Sequence, residues 1–300
     1  MTAIDTDLVR VGLVQMRMSH DTETNLSRAI DAIREAAALD ADVICLPELF
    51  RSRYFCQSED VARFDLAESV PGPTTTVLAR IAAELDVVII AGLFERRAPG
   101  LYHNTAAVID GARGVVGKYR KMHIPDDPGY YEKFYFTPGD LGFRSFPTAA
   151  GRLGVLMCWD QWFPEAARLT AMAGADVLLY PTAIGWHPEE RKASGEAQIE
   201  AWETVQRAHA IANGCYLVAV NRSGFEPDPT GAGGIRFWGR SFAVGPDGRV
   251  LTRASVEEET VLVVEMDRRR IREQREGWPF FRDRRIDAYA ALSRRFTDPE

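Results

Sequence analysis

Along the chain, short continuous apolar runs alternate with longer stretches in which apolar residues recur every three or four positions. Leu8-Val9-Arg10-Val11-Gly12-Leu13-Val14-Gln15 reads as a strand, and residues 21–39, with Leu26, Ile30, Ile33 and Ala37 on one face, as a helix. A short buried strand follows at 42–46 and stops at Pro47-Glu48. A second helix is predicted over 74–85 and a third strand over 87–92. Strands at 104–109 and 115–119 flank a turn at Asp110-Gly111, and Val155-Leu156-Met157 runs straight into Cys158. The rhythm then repeats: a helix over 163–173, a strand over 176–181, a long helix over 196–213 and a strand over 216–221. Two further strands, 241–244 and 261–265, are expected around the hairpin signal Asp247-Gly248.

Strands that are apolar throughout and alternate with helices predict an α/β protein whose sheets are covered by helices. No linker-like or low-complexity stretch interrupts the pattern, so residues 1–277 are expected to form one domain. Residues 278–300 read as a C-terminal tail, with Trp278, Phe280 and Phe281 among many Arg and Asp. Such a tail cannot form its own core and is expected to pack on another surface, such as a second subunit.

Composition narrows the class. In 300 residues, 46% are hydrophobic and 26% charged, an ordinary globular mixture able to bury a sizeable core. A net charge of -7 argues against nucleic acid and anionic membranes as partners. The cysteines Cys45, Cys56, Cys158 and Cys215 show neither a CxxC pair nor zinc-ligand spacing, so neither a disulfide framework nor a bound metal is expected. The N-terminus is polar and acidic, without the basic and apolar regions of a signal peptide. No apolar run approaches the roughly 20 residues of a membrane span. A cytoplasmic protein is expected.

Three positions carry candidate chemistry. Cys158 lies between an apolar run and a helix start marked by Pro164, where neighbouring N–H groups can lower a thiol pKa and bind an oxyanion. Glu48 stands just past a buried strand, where a carboxylate is costly unless it has a partner or a task. Lys121 lies in Lys118-Tyr119-Arg120-Lys121, and charge pattern alone does not choose it over Lys118 or Arg120. A thiol, a carboxylate and an ammonium together suit acyl transfer. The carboxylate takes the thiol proton, the ammonium and backbone N–H groups near Trp159 hold the oxyanion, and the acid returns its proton to a leaving amine.

Pro47-Glu48-Leu49-Phe50, Lys118-Tyr119-Arg120-Lys121-Met122-His123 and Cys158-Trp159-Asp160-Gln161-Trp162-Phe163-Pro164-Glu165 resemble, in order, the three signatures of the nitrilase, or carbon–nitrogen hydrolase, superfamily. The resemblance runs from about Val9 to Met266. It implies a four-layer αββα sandwich, a catalytic triad on Glu48, Lys121 and Cys158, and a homo-oligomer of two or more copies. It also implies a second glutamate supporting the lysine, which falls on Glu132. It implies no metal and no organic cofactor, with water as co-substrate.

The 121–140 stretch and the residues after Cys158 are similar to the N-carbamoylputrescine amidase branch of that superfamily. Hydrolysis of a ureido bond with a cationic tail is therefore expected. Relatives that hold a carboxylate tend to carry arginine after the nucleophile, where Gln161 and Trp162 stand here. Tyr54, Tyr130, Trp159 and Trp162 are expected to line an apolar tunnel, Asp126 and Asp127 to meet an ammonium, and His123 to orient the lysine or the substrate. Core packing of the aromatics and a plain turn at 126–129 compete with this reading. Other readings are an amidase or N-carbamoyl-β-alanine hydrolase of the same superfamily, a silent binding protein on this fold, and a Cys–His enzyme using His209.

Overall fold

The computed structural model describes residues 7–231 and 233–297; residues 1–6, which carry most of the acidic N-terminus, and the tail residues 298–300 lie outside the described residues. Strands β1 (Leu8–Gln15), β2 (Val43–Cys45) and β3 (Val88–Ala98) run parallel, with helices α1 (Thr22–Ala38) and α2 (Pro73–Leu85) as crossovers. Strands β4 (Leu101–Asp110) and β5 (Gly114–Arg120) add to β3 by antiparallel hairpins. Alternate side chains explain the continuous apolar runs. Val9, Val11, Leu13, Val43, Cys45, Val88 and Ile90 enter the core between the sheets. Val14, Ile44 and Ile89 instead pack under α1 and α2, against Ile33, Ala36, Leu78 and Ala82.

A second sheet faces the first. After a single helical turn, α3 (Glu132–Tyr135), come β6 (Ser145–Thr148), β7 (Gly151–Val155), α4 (Pro164–Met172) and β8 (Val177–Thr182). The short β9 (Gly185–Trp186) precedes α5 (Pro188–Asn213) and β10 (Tyr216–Asn221). Strands β11 (Ser223–Pro227) and β12 (Gly234–Trp238) join β9 in a small third sheet. Strands β13 (Phe242–Val244) and β14 (Val250–Arg253) complete the second sheet in the order β14-β13-β10-β8-β7-β6. Ala166 and Ala167 of α4 and Ile199, Trp202 and Ala210 of α5 cover its outer face. Helices, sheet, sheet and helices form the αββα sandwich that the motifs imply.

Several elements depart from the periodicity. The Asp247-Gly248 turn joins β13 to β14, not to the 261–265 segment. That segment is β15 (Thr260–Asp267), which pairs antiparallel with β1 in the other sheet, from Leu8↔Asp267 to Gln15↔Thr260. Helix α5 begins at Pro188 rather than 196, because its first turns are polar and exposed and offer no apolar stripe. Helix α6 (Arg269–Gly277) escapes notice for the same reason, burying only Ile271. Met172 is 49% exposed on α4. Beyond α6 the tail forms short 3-10 turns, with Phe281 between the guanidiniums of Arg168 and Arg275 at 4.9 and 5.2 Å.

One buried ionic cluster fixes the end of β5. Glu95 accepts hydrogen bonds from Thr105 Oγ1 (2.7 Å), Lys118 Nζ (2.5 Å) and the Arg120 guanidinium (2.7 and 2.8 Å), and Arg120 also pairs with Asp140. Burial alone would raise the Glu95 carboxyl, but the hydrogen bonds from Arg120, Lys118 and Thr105 outweigh it and bring it down to about 2. A depressed carboxyl stabilises the fold above its ordinary value of 4.5, and that contribution disappears as pH falls towards 2. Glu95→Gln should therefore lower the urea midpoint at pH 7, with the deficit relative to the native protein narrowing below pH 4.5. A deficit that stays constant from pH 7 to pH 3 would contradict the ionic origin of the effect.

Candidate active site

Glu48 follows the end of β2, and Leu49 after it takes a left-handed φ of +50°. Gly92 of β3 lies directly behind, where a Cβ would fall 2.8 Å from Glu48 Cα and 3.0 Å from Leu49 N, so only glycine permits the approach. From the other side the fully buried Arg222 donates through Nη2 to the carbonyls of Glu48 (2.7 Å) and Leu49 (3.1 Å). Its Nη1 pairs with Glu226 at 2.8 Å, and Glu226 accepts the Tyr54 N–H.

Lys121 extends the ladder one step past β5, its N–H donating to the Asn104 carbonyl at 2.9 Å. Arg120 turns to Glu95, as does Lys118, so alternation sends Lys121 to the opposite face. Its Nζ donates to Glu48 Oε1 at 2.9 Å and to Glu132 Oε2 at 2.6 Å, and all three side chains are at most 1% exposed. Asn104 Nδ2 donates to Glu48 Oε1 at 2.7 Å, and Tyr54 OH to Glu132 Oε1 at 2.7 Å. Glu48 Oε2 is buried with no partner. An unpaired buried acceptor is costly, and here it leaves one oxygen of a carboxylate free to take a proton.

Cys158 opens a 3-10 turn, Cys158–Trp162, with a φ of +42° that L side chains adopt at a cost of about 1–3 kcal/mol. The turn is held by Asp160. Its buried carboxylate accepts from Met157 N–H (3.0 Å), Tyr119 OH (2.7 Å) and His123 N–H (3.0 Å), tying the cysteine turn to the lysine segment. Burial pushes the Cys158 thiol well above its usual range, and Glu48 and Glu132 add to the rise while Lys121 opposes it. Burial works against charge on Lys121 too, but Glu132 and Glu48 outweigh it, so the ammonium is retained. Glu132 is raised by burial, with Lys121 pulling the other way. A thiol in this setting stays protonated at rest and needs a base to attack.

The thiol opens on a cavity of about 730 Å³ whose walls include Glu132, Tyr130, Trp159, Trp162 and Trp238, with no Lys or Arg among the lining residues. Of the expected tunnel residues, Tyr130, Trp159 and Trp162 therefore face the cavity. Tyr54 does not: it is 1% exposed and holds Glu132. His123 is also elsewhere, bonded to Asp160 Oδ1 at 2.7 Å and stacked on Phe163 at 3.7 Å. Asp126 is not among the lining residues of the cavity, whereas its neighbour Asp127 is. Gln161 is fully buried beside Thr182, so only Trp162 of the two positions considered for arginine borders the cavity. His209 bonds the Gln161 carbonyl at 2.9 Å, whereas the Cys158 thiol lies 3.8 Å from the Ala183 carbonyl, so no Cys–His pair forms. Cys56 sits in an aromatic cluster with Phe55 and Phe94. Sequence reasoning missed Asn104, Asp160 and Arg222. The pattern that flagged Glu48, a polar side chain just past a buried strand, recurs at Asn221-Arg222 and would have found the arginine.

A carbon-nitrogen hydrolase family model matches residues 10–276. The chain is 44% identical over 288 residues to an N-carbamoylputrescine amidase of Solanum lycopersicum, covering 95% of each chain. It is likewise 44% identical over 287 residues to an N-carbamoylputrescine amidase of Arabidopsis thaliana, again covering 95% of each. The crystal structure of a carbon-nitrogen hydrolase from Helicobacter pylori G27 matches with a TM-score of 0.94 at 46% identity, covering 97% of this chain and all (100%) of that one.

Removing the ammonium should expose the electrostatic constraint. Lys121→Met leaves two buried carboxylates facing each other without a counter-charge, and urea unfolding should show a loss of about 3–5 kcal/mol. A loss below about 1 kcal/mol, the range of exposed pairs, would contradict a dry ionic trio.

Proposed function

Because the chain belongs to the carbon-nitrogen hydrolase family, we propose that it hydrolyses N-carbamoylputrescine to putrescine, ammonia and carbon dioxide. The observation that carries the substrate is the near-full-length identity with plant enzymes named for that reaction. The cavity supports it. Its aromatic walls suit a methylene chain, and no Lys or Arg lines it to neutralise a carboxylate-ended tail.

In the proposed mechanism Cys158 is the nucleophile, Glu48 the general base, Lys121 the electrophilic stabiliser and Glu132 the partner that keeps the lysine charged and in place. Glu48 takes the thiol proton as Sγ attacks the ureido carbon, which avoids forming a free thiolate in a buried site. The oxyanion is held by the Lys121 ammonium and the backbone N–H of Trp159. The bond to the terminal nitrogen breaks, and Glu48 returns the proton so that ammonia departs. A carbamoyl thioester, Cys158 Sγ–C(=O)–NH–R, remains. Glu48 then takes a proton from water, whose oxygen attacks the thioester carbon. The thiol is regenerated, and the released carbamate decomposes to putrescine and carbon dioxide. No metal or organic cofactor enters these steps.

The same reading covers setting and assembly. We propose a cytoplasmic enzyme, which four free, buried thiols support. No described helix is long and apolar enough to cross a membrane. We also propose a homo-oligomer in which the 278–300 tail packs at a subunit interface. Trp278, Ile286, Leu292 and Phe296 are 61–76% exposed, and Leu169 and Met172 lie bare on α4. Exposed apolar residues this numerous mark a contact surface.

Incubation of the purified protein with N-carbamoylputrescine should release ammonia and putrescine in equal amounts, measured by coupled assay and chromatography. Cys158→Ala should lower the rate by about 10³-fold or more with its circular dichroism unchanged. Undiminished turnover by that variant would refute the covalent route. Deleting residues 278–300 should shift the light-scattering mass towards the monomer, whereas a monomeric full-length chain would contradict the interface role of the tail.

A further inference from the structure

We propose that the buried Arg222–Glu226 ion pair positions the base and the lysine together, Arg222 through the main chain of Glu48 and Glu226 through Tyr54 and Glu132. The proposal rests on the mechanism above and adds positioning residues outside the cavity, since Tyr54, Arg222 and Glu226 are all absent from its lining. Arg222 Nη2 donates to the Glu48 carbonyl at 2.7 Å, and its Nη1 to Glu226 Oε1 at 2.8 Å. Glu226 Oε2 accepts the Tyr54 N–H at 2.5 Å, and the Tyr54 OH donates to Glu132 Oε1 at 2.7 Å. Lys121 closes the circuit, donating to Glu132 Oε2 at 2.6 Å and to Glu48 Oε1 at 2.9 Å. Every member is at most 2% exposed.

Donors and acceptors alternate around this circuit. Glu48, Glu132 and Glu226 each accept from donors on both sides, while Arg222, Tyr54 and Lys121 each donate in both directions. Tyr54 is the strut between the two charge clusters, its main chain held at one end and its hydroxyl at the other. The Arg222 guanidinium lies 6.0 Å from the Tyr54 ring centroid and 5.1 Å from that of Phe237, and these two rings meet edge-on. Burial first, and the Glu132 charge after it, push the Tyr54 phenol well above its usual range, so the hydroxyl remains a donor.

A buried ion pair is weak evidence for stability, since well-packed apolar residues of similar volume often serve as well. Apolar residues cannot, however, hold polar main-chain groups in place. Here the planar fork of Arg222 fixes the carbonyls of Glu48 and Leu49, and Glu226 fixes the Tyr54 N–H. With Glu226 released, Tyr54 no longer fixes Glu132, and Lys121 loses one of the two carboxylates that aim it. A misplacement of about 1 Å at a reacting group costs about 100-fold in rate. Both oxygens of Glu226 face donors, so an amide in its place sets an N–H against a donor on one side or the other.

The test reads the nucleophile without a substrate. Alkylation of each cysteine by iodoacetamide at pH 7 is followed by mass spectrometry in the native protein, Glu226→Gln, Tyr54→Phe and the double variant, alongside kcat and KM for N-carbamoylputrescine. Each single change should slow labelling of Cys158 by about tenfold or more, the worth of one charge-assisted hydrogen bond, and lower kcat with KM nearly unchanged. Both changes cut the same arm, so the double variant should label no more than about threefold slower than the slower single variant. A merely structural role has the opposite sign, because a loosened fold speeds labelling of all four buried thiols. Where Glu226→Gln does not fold, Glu226→Asp keeps the charge, shortens the reach and carries the same expectation. Undiminished labelling of Cys158 in either single variant, or single effects that multiply in the double variant, overturns the positioning role even where native turnover upholds the reaction. Selective slowing at Cys158 without native turnover of N-carbamoylputrescine upholds the positioning role and overturns the reaction.

Discussion

One ammonium held between two carboxylates, all three almost fully buried, is the constraint on which the rest of the molecule depends. Taking such charges out of water costs several kcal/mol each, and mutual attraction repays this only with good geometry and further hydrogen bonds. Lys121 meets both glutamates within 2.9 Å, and Asn104 and Tyr54 supply the further bonds. Glu48 Oε2 is left over, an acceptor whose only use is a proton or a ligand donor. The arrangement keeps the lysine charged and the cysteine neutral at rest. That division of protonation is what hydrolysis of an unreactive ureido bond requires.

The sandwich explains how these groups are brought together and kept still. Glu48, Lys121 and Cys158 each stand just past a strand, on β2, β5 and β7, so both sheets contribute. Each is pinned by a different device: Arg222 and Gly92 around Glu48, the Glu95 cluster behind Lys121, and Asp160 beneath the cysteine turn. Left-handed backbone at Leu49 and Cys158 persists because these surroundings determine it.

Much of this was legible beforehand, and the exceptions have physical reasons. Strands buried on both faces are largely apolar, so β2, β8, β10 and the part of β1 after Arg10 were visible as runs. Helix α6 and the first turns of α5 bury almost nothing and left no stripe. The pairing of β15 with β1 is a contact across the whole chain, which a local hairpin signal at Asp247-Gly248 cannot report. At the site, the motif resemblance named Glu48, Lys121, Glu132 and Cys158, all four now found in one buried cluster or on its cavity wall. Exposure was the weak point: Tyr54 and His123 are aromatic and near in sequence to these residues, yet their polar atoms are engaged by Glu132 and Asp160.

Tail charge is where the geometry commits itself most openly, since the cavity wall offers aromatic faces and carboxylates but no Lys or Arg. The most direct measurement is kcat/KM for ammonia release from N-carbamoylputrescine and from N-carbamoyl-β-alanine, run side by side on the native protein. The account predicts release from the first and little or none from the second. Equal or faster release from the carboxylate-ended compound would contradict it.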